Sequence, residues 1–517
     1  MPNAKRLFDD LLLKLRAAPD VIRESNLDIC YGQAKKTCRR YQFHFILLEM
    51  KIKLKNIGPI SYSEFELGKL TVVSGKNNTG KTYVTYLLYC LLDFWTNEFV
   101  IQVSDDVKTS ITSKGIAKIE LQQYVIHAND VLKRASRQFS TPNVLARVFA
   151  SEAEKFKDSE ISIEVDKDEI DIAGHSKETS EFSLGIKNKS YIKITQENNC
   201  LNIKLLVGTA ELPDPSLLNI IERSISDIIK KTVFGQLLPH PFISSAERTG
   251  SAIFQKDLDF TTSKIVEVLR DKEKTKSFHP YEFLRTFSSG YPIPVKKNVD
   301  FIRDLASIEK RKSYIQEEHP DFIKYFADII GGTYKTDKKT SSIYYIPNSN
   351  KKLRLMLAES SSCVRSLLDL GYYIKHIAQK NDLLMIDEPE MNLHPENQRK
   401  IARLFAALAN IGINVYITTH SDYILKEFST LVVLSNKEER IRKIAAEEKY
   451  REWELLSPDM IRTYTATQTK KRKNKNNRGN VELVNCKISV INGILSPNFD
   501  DTITEMNRIQ NRILWEY

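Results

Sequence analysis

Hydrophobic and polar positions follow more than one rhythm along this chain. From Lys51, KIKLKNI alternates charged and apolar residues, the period-two pattern of a half-buried strand, and after the turn pair Gly58-Pro59 a second alternation runs through Phe65 and Leu67. Residues 70–73 form a further short strand that leads into a glycine loop, and the apolar-rich stretch 81–95 predicts a helix. Beyond residue 104 come charged helices over 118–149, then short alternating strands at 161–165, 191–194 and 201–205. Residues 242–249, FISSAERT, read as a return to the first layer. Densely charged helices are expected from 256 to 330, and Gly331-Gly332 opens a hairpin with strands over 342–346 and 353–357. The block 383–434 reads strand, turn, helix ending near Gly412, strand, helix, strand, a parallel α/β succession. The tail from 440 holds a charged helix, a basic loop, an alternating strand at 481–488 and a final amphipathic helix. No internal repeat and no sustained heptad seam is visible, so a long coiled-coil arm is not predicted.

Composition narrows the class without naming a function. A chain of 517 residues, 41% hydrophobic and 28% charged, can bury a substantial core in more than one structural unit. No run approaches the roughly 18 uncharged apolar residues of a membrane span, so no membrane partner is expected. Residues 1–49 read as a helical, basic extension, with Met50 a second candidate start, and lack the h-region of a secretory signal; a cytoplasmic address is expected. Cys30, Cys38, Cys90, Cys200, Cys363 and Cys486 are scattered without a C-x-x-C pair, which argues against a zinc ribbon or a disulfide framework. The net charge of +11 permits contact with nucleic acid, and part of it sits in one run at 470–478: Lys470, Lys471, Arg472, Lys473, Lys475 and Arg478. Such a run is more often a solvated loop than a specific site.

The sharpest local signal is GKNNTGKT at residues 75–82, which satisfies G-x-x-x-x-G-K-[ST] between a predicted strand and a predicted helix. Backbone N–H groups from Gly75, Lys76, Asn77, Asn78, Thr79 and Gly80 are expected to cradle phosphate oxygens, glycines at 75 and 80 leaving room for the approach. Gly80 precedes a helix whose positive end faces the anion. Lys81 supplies a cation to the β and γ phosphates, and the Thr82 hydroxyl suits a magnesium ion. A second signal is LLMIDE at 383–388, a buried-type strand ending in two acids where α/β folds place their ligands. There Asp387 is the candidate metal carboxylate and Glu388 the candidate general base. ATP and Mg2+ are the ligands these two motifs imply together.

With those motifs, DEPEMNLHPENQ at 387–398 and ITTHSDYIL at 417–425, the chain resembles the ABC-type ATPases of the SMC, RecF and OLD group. Within it the likeness is to AAA_15-style ATPases of bacterial anti-phage systems, such as those of Septu and retrons. The resemblance implies an α/β ABC-type P-loop NTPase head with a large α+β insertion and a helical arm. Its parts would be the extension 1–49, core 50–103, insertion 104–236, return 237–255, arm 256–335, second core segment 336–440, and a C-terminal region 441–517 carrying the basic loop. It further implies that residues 392–395 form a loop crossing between two copies, that His420 senses the γ phosphate, and that Ser361 and Ser362 in AESSSCVRSLLDL contact a nucleotide on another copy. That serine segment departs from the family's Leu-Ser-Gly-Gly-Gln, with Cys363 and Val364 where glycines are common. N-capping alone is the alternative role for these serines. Glu247 and Arg248 match the family's A-E-R-[ST] stretch, where an arginine is commonly a salt-bridge partner, and Gln255 lies near it as a guess at a missing glutamine.

Two functions remain in contention. In the first, a homo-oligomer sandwiches ATP between heads and controls a separate effector protein, a nuclease or toxin, in anti-phage defence. No nuclease domain is expected in this chain, because part of the tail after His420 must close the ATPase sheet and no Asp-x-Asp strand end follows. In the second, a DNA repair or recombination factor clamps DNA. A transporter subunit is set aside, since such subunits are typically shorter and lack a large charged insertion.

Overall fold

Alternation in KIKLKNI becomes β1 (Lys51–Ile57), with Ile52 and Leu54 fully buried between partly exposed lysines, and the Gly58-Pro59 turn returns the chain antiparallel as β2 (Ile60–Glu66). The computed structural model describes residues 50–166, 170, 180–186, 189–197, 199–206, 215–253, 290–337, 342–468, 480–496 and 501–515. The extension 1–49, Gln255 and the basic run 470–478 lie outside the described residues. Next come β3 (Leu70–Gly75) and helix α1 (Lys81–Asn97). The stretch expected as an insertion holds β4 (Ile116–Glu120), β5 (Glu160–Glu164), β6 (Ser180–Ile186), β7 (Lys189–Glu197) and β8 (Cys200–Leu205). Four of these make an antiparallel sheet in the order β4-β8-β7-β6, whereas β5 pairs with β1 on the edge of the main sheet. That stretch is therefore stitched to the main sheet by a strand of its own.

The chain continues through β9 (Pro241–Ser244), α2 (Ile293–Ile308) and a small antiparallel sheet of β10 (Gly332–Thr336), β11 (Ile343–Pro347) and β12 (Leu355–Met356). Helix α3 (Ser362–Ser366) precedes the α/β block β13 (Leu383–Asp387), α4 (Pro395–Asn410), β14 (Asn414–Thr419) and α5 (Asp422–Leu434). The expected strand at the end of that block is absent. Residues 431–434 are the last turn of α5, burying Leu431 and Val432, and a run of four apolar residues cannot by itself distinguish the two states. The tail supplies β15 (Ile461–Gln468), β16 (Val481–Asn485), β17 (Lys487–Ser489), β18 (Gly493–Leu495) and α6 (Asp501–Trp515). The single strand expected over 481–488 breaks at Cys486, whose N–H donates to Thr463 O at 2.8 Å, and β17 leaves to pair with β18.

Among the described residues the main sheet has nine strands in the order β5-β1-β2-β16-β15-β3-β14-β13-β9. From β15 to β9 neighbouring strands are parallel. Such strands must be covered on both faces, and side chains along β13 alternate accordingly. Leu383 and Met385 enter one core with α1; Leu384 and Ile386 enter the other with α4 and α5. The result is an α/β sheet covered on both faces, and it sets the carboxyl ends of β3, β13 and β14 side by side.

Candidate functional site

The glycine loop runs from the end of β3 to the start of α1. Gly75 takes φ 147°, and a Cβ there would lie 2.9 Å from the carbonyl oxygen of Ala466 in β15. Gly80, the residue before α1, takes the left-handed φ of 81°, and a Cβ there would come within 2.5 Å of Pro59 Cγ. Both glycines thus answer to packing from elsewhere in the chain. Thr79 Oγ1 donates to Lys76 O at 2.8 Å, closing the loop on itself. Lys81 Nζ folds back to donate to Gly75 O and Lys76 O, both at 3.0 Å. Burial lowers the Lys81 pKa, and Glu388, Asp387 and Glu390 oppose that shift.

The acid pair closes over the same loop. Asp387 is fully buried; Thr418 Oγ1 donates to its Oδ1, Thr82 hydrogen-bonds its carboxyl, and its Oδ2 has no partner among the described residues. Burial raises the Asp387 pKa, with the Thr418 and Thr82 hydrogen bonds pulling it back. A buried carboxylate oxygen without a donor, beside a threonine hydroxyl, is a donor set that fits a small hard cation. Glu388 stands at φ 51°, its N–H shared between Thr418 O and Oγ1, each at 3.2 Å. Its carboxylate faces an open cavity of about 570 Å³ lined also by Pro59, residues 77–83 and His420. Lys81 with Thr82, Glu388 and His420 come from three separate stretches of sequence and line this one cavity.

His420 follows β14, and its Nδ1 lies 3.4 Å from Glu388 Oε1 and 3.6 Å from Glu390 Oε1. Glu390 is not singled out by the sequence motifs. It is 7% exposed, and its Oε1 accepts from Thr419 Oγ1 and from the His420 N–H, both at 2.8 Å. It thereby fixes the main chain that carries the histidine; a third acid in DEPE is the one signal that points to it. Glu247 Oε2 accepts from Tyr86 OH of α1 at 2.7 Å. Arg248 is not a surface salt-bridge partner: it is buried, and its guanidinium donates to main-chain carbonyls.

Ser361 and Ser362 do not join the cavity within one chain. Ser361 caps α3, its Oγ accepting from Val364 N at 3.3 Å, while both serines remain exposed. Residues 392–395 form the turn before α4, with Asn392 at φ 63° and the His394 ring capping the helix through Glu396 N.

Residues 50–425 match the family described as AAA ATPase domain, AAA_15. The chain belongs to that family. This AAA_15 chain is accordingly an ATPase, with its glycine loop, Glu388 and His420 on one cavity. It is 31% identical over 86 residues to the energy-coupling factor transporter ATP-binding protein EcfA of Methanothermobacter thermautotrophicus, covering 17% of this chain and 28% of that protein's length. Among solved structures it is similar to the SMC head domain from Thermotoga maritima, at 10% identity and TM-score 0.29, covering 85% of this chain and 98% of that one. It is also similar to the Smc head domain bound to the C-terminal domain of ScpA derived from Pyrococcus furiosus, at 12% identity and TM-score 0.30, covering 89% and 98%. Among the described residues no helix is long and apolar enough to cross a membrane.

Proposed function

We propose that the protein is a magnesium-dependent ATPase whose ATP-bound heads close in pairs to control a separate effector, a nuclease or toxin, in anti-phage defence. The observation carrying the catalytic part is the convergence of Lys81, Thr82, Glu388 and His420 on one cavity beside the buried Asp387. Loop N–H groups and Lys81 bind the β and γ phosphates. Thr82 and Asp387 would hold the magnesium ion, which when bound neutralises charge on the phosphate oxygens. Glu388, which lines the cavity, takes a proton from an attacking water, and His420, whose main-chain N–H is held by Glu390, hydrogen-bonds the γ phosphate.

Pairing of heads is supported by exposed Ser361 and Ser362 at the start of α3, which offer hydroxyl and N–H donors that their own cavity does not use. The defence setting rests on the resemblance of DEPEMNLHPENQ and ITTHSDYIL to ATPases of that kind. The test is Glu388→Gln. It should keep ATP affinity, lower turnover about a hundredfold or more, and accumulate an ATP-dependent oligomer in size-exclusion chromatography. Unchanged turnover would remove Glu388 as the base, and a variant that stays monomeric with ATP would remove the paired-head part.

A further inference from the structure

Arg248 gathers main-chain carbonyls from three separate elements. Its Nε donates to Ser366 O at the end of α3 at 2.9 Å; Nη1 donates to Ser245 O just past β9 at 3.0 Å and to Asp387 O at 2.6 Å; Nη2 donates to Glu388 O at 2.7 Å. The side chain is 2% exposed. With all three nitrogens committed, it is not free to reach into the cavity for a phosphate. Burying a guanidinium is costly, and an apolar side chain would fill the same space at lower cost if filling were its whole task. The planar fork does something an apolar group cannot, which is to hold several carbonyls in fixed relation.

Two of those carbonyls belong to the turn that aims the proposed base. Glu388 sits in the left-handed region, a conformation that a non-glycine residue keeps only when its surroundings hold it. Thr418 grips its N–H and Arg248 grips its carbonyl. On the far side of the same guanidinium is α3, the helix that begins at Ser361 and Ser362.

We propose that Arg248 is a positioning residue that couples the serine helix to the acid turn, so that a shift of α3 on closure against a second copy redirects the Glu388 carboxylate. The coupling rests on the readings of Glu388 as the base and of Ser361 and Ser362 as contacts to a second copy. Engagement of Ser361 and Ser362 moves the Ser366 carbonyl, the guanidinium follows as a rigid plane, and the carbonyls of Asp387 and Glu388 move with it. An unpaired head would then hold ATP with Glu388 misdirected, and turnover would wait on pairing.

The test is Arg248→Lys, which keeps the charge and loses the planar fork, with Arg248→Gln as its neutral counterpart. Binding of ATPγS should stay within about threefold of wild type while kcat falls about tenfold or more, a split that general loosening of the fold does not give. Added to Glu388→Gln, the lysine variant should cost less than about a further twofold, because both changes act through one carboxylate. Parallel losses in binding and turnover, or losses that multiply in the double variant, would overturn the coupling. If Glu388→Gln abolished turnover and Arg248→Lys did not lower it, the coupling alone would fall; if Glu388→Gln left turnover intact, the base assignment would fall first. Hydrogen exchange on the unmodified protein gives a check independent of whether the variants fold. Adding ATPγS with magnesium should change amide exchange in residues 362–366 and 387–391 together, and a change in one segment without the other would refute the link.

Discussion

At Gly80 a left-handed φ of 81° coincides with a clash of 2.5 Å between a hypothetical Cβ and Pro59 Cγ, so neither rotation nor repacking offers an alanine an easy place. Gly80→Ala should lower ATP affinity about tenfold and cost about 1–2 kcal/mol of stability, read by nucleotide titration and thermal melting. Affinity equal to wild type would mean that the loop does not need this backbone to hold phosphate. The requirement for glycine is legible from the motif, but half of its cause is not, because Pro59 lies in a turn that no local pattern connects to the loop. Glu390 escapes for a similar reason. Its burial and its bonds to Thr419 and His420 exist only once β13 and β14 lie side by side. Ser361 shows the opposite limit: its N-capping bond to Val364 is what a serine before a helix announces, whereas any engagement with a second copy is invisible in one chain.

Between elements, a cluster of charged side chains in the α/β block joins α4 to α5. Glu427 of α5, with its side chain 3% exposed, accepts from Arg399 Nε at 2.7 Å and Arg403 Nε at 2.5 Å, and the Arg403 guanidinium lies 3.9 Å from the centre of the Tyr450 ring. Removing the carboxylate by Glu427→Ala leaves Arg403 partly buried without its partner. Because Arg399 remains half exposed to solvent, the expected loss is about 2–3 kcal/mol in urea unfolding, below that of a fully buried pair. A loss under about 0.5 kcal/mol would show that water replaces the glutamate. Pattern and punctuation suffice to find β1 and α1 by their periodicity, β3, β13 and β14 as short apolar runs, and α4 between Pro395 and Gly412. They fail at the end of α5, where four apolar residues suit a strand as well as a helix, and at β16 and β17, where one alternation spans two strands. Pairing of β5 with β1 lies outside any local pattern, because the choice between joining the main sheet and staying with β4, β6, β7 and β8 is made by surfaces that meet only in the folded chain.

For the whole molecule, the ATPase part and the charge excess belong to different questions. The phosphate loop lies between β3 and α1, and β15 from the tail packs against β3 so closely that Ala466 crowds Gly75; truncating the tail before β15 would therefore damage the site itself. The basic run 470–478 lies in sequence between β15 and β16 and belongs to neither strand. Its six Lys and Arg residues amount to just over half of the net charge of +11. If the protein clamps DNA through this run, replacing those six residues by glutamine should weaken binding uniformly across sequences and flatten the dependence of log affinity on log salt by about 0.9 for each phosphate no longer neutralised. DNA-stimulated ATP turnover should fall with it, while turnover without DNA should stay within about twofold, since the cavity residues are unchanged. A salt slope that does not move would place the DNA-binding surface elsewhere. Absence of any DNA stimulation in the unmodified protein would remove the DNA-clamping alternative and leave the separate effector as the partner to seek.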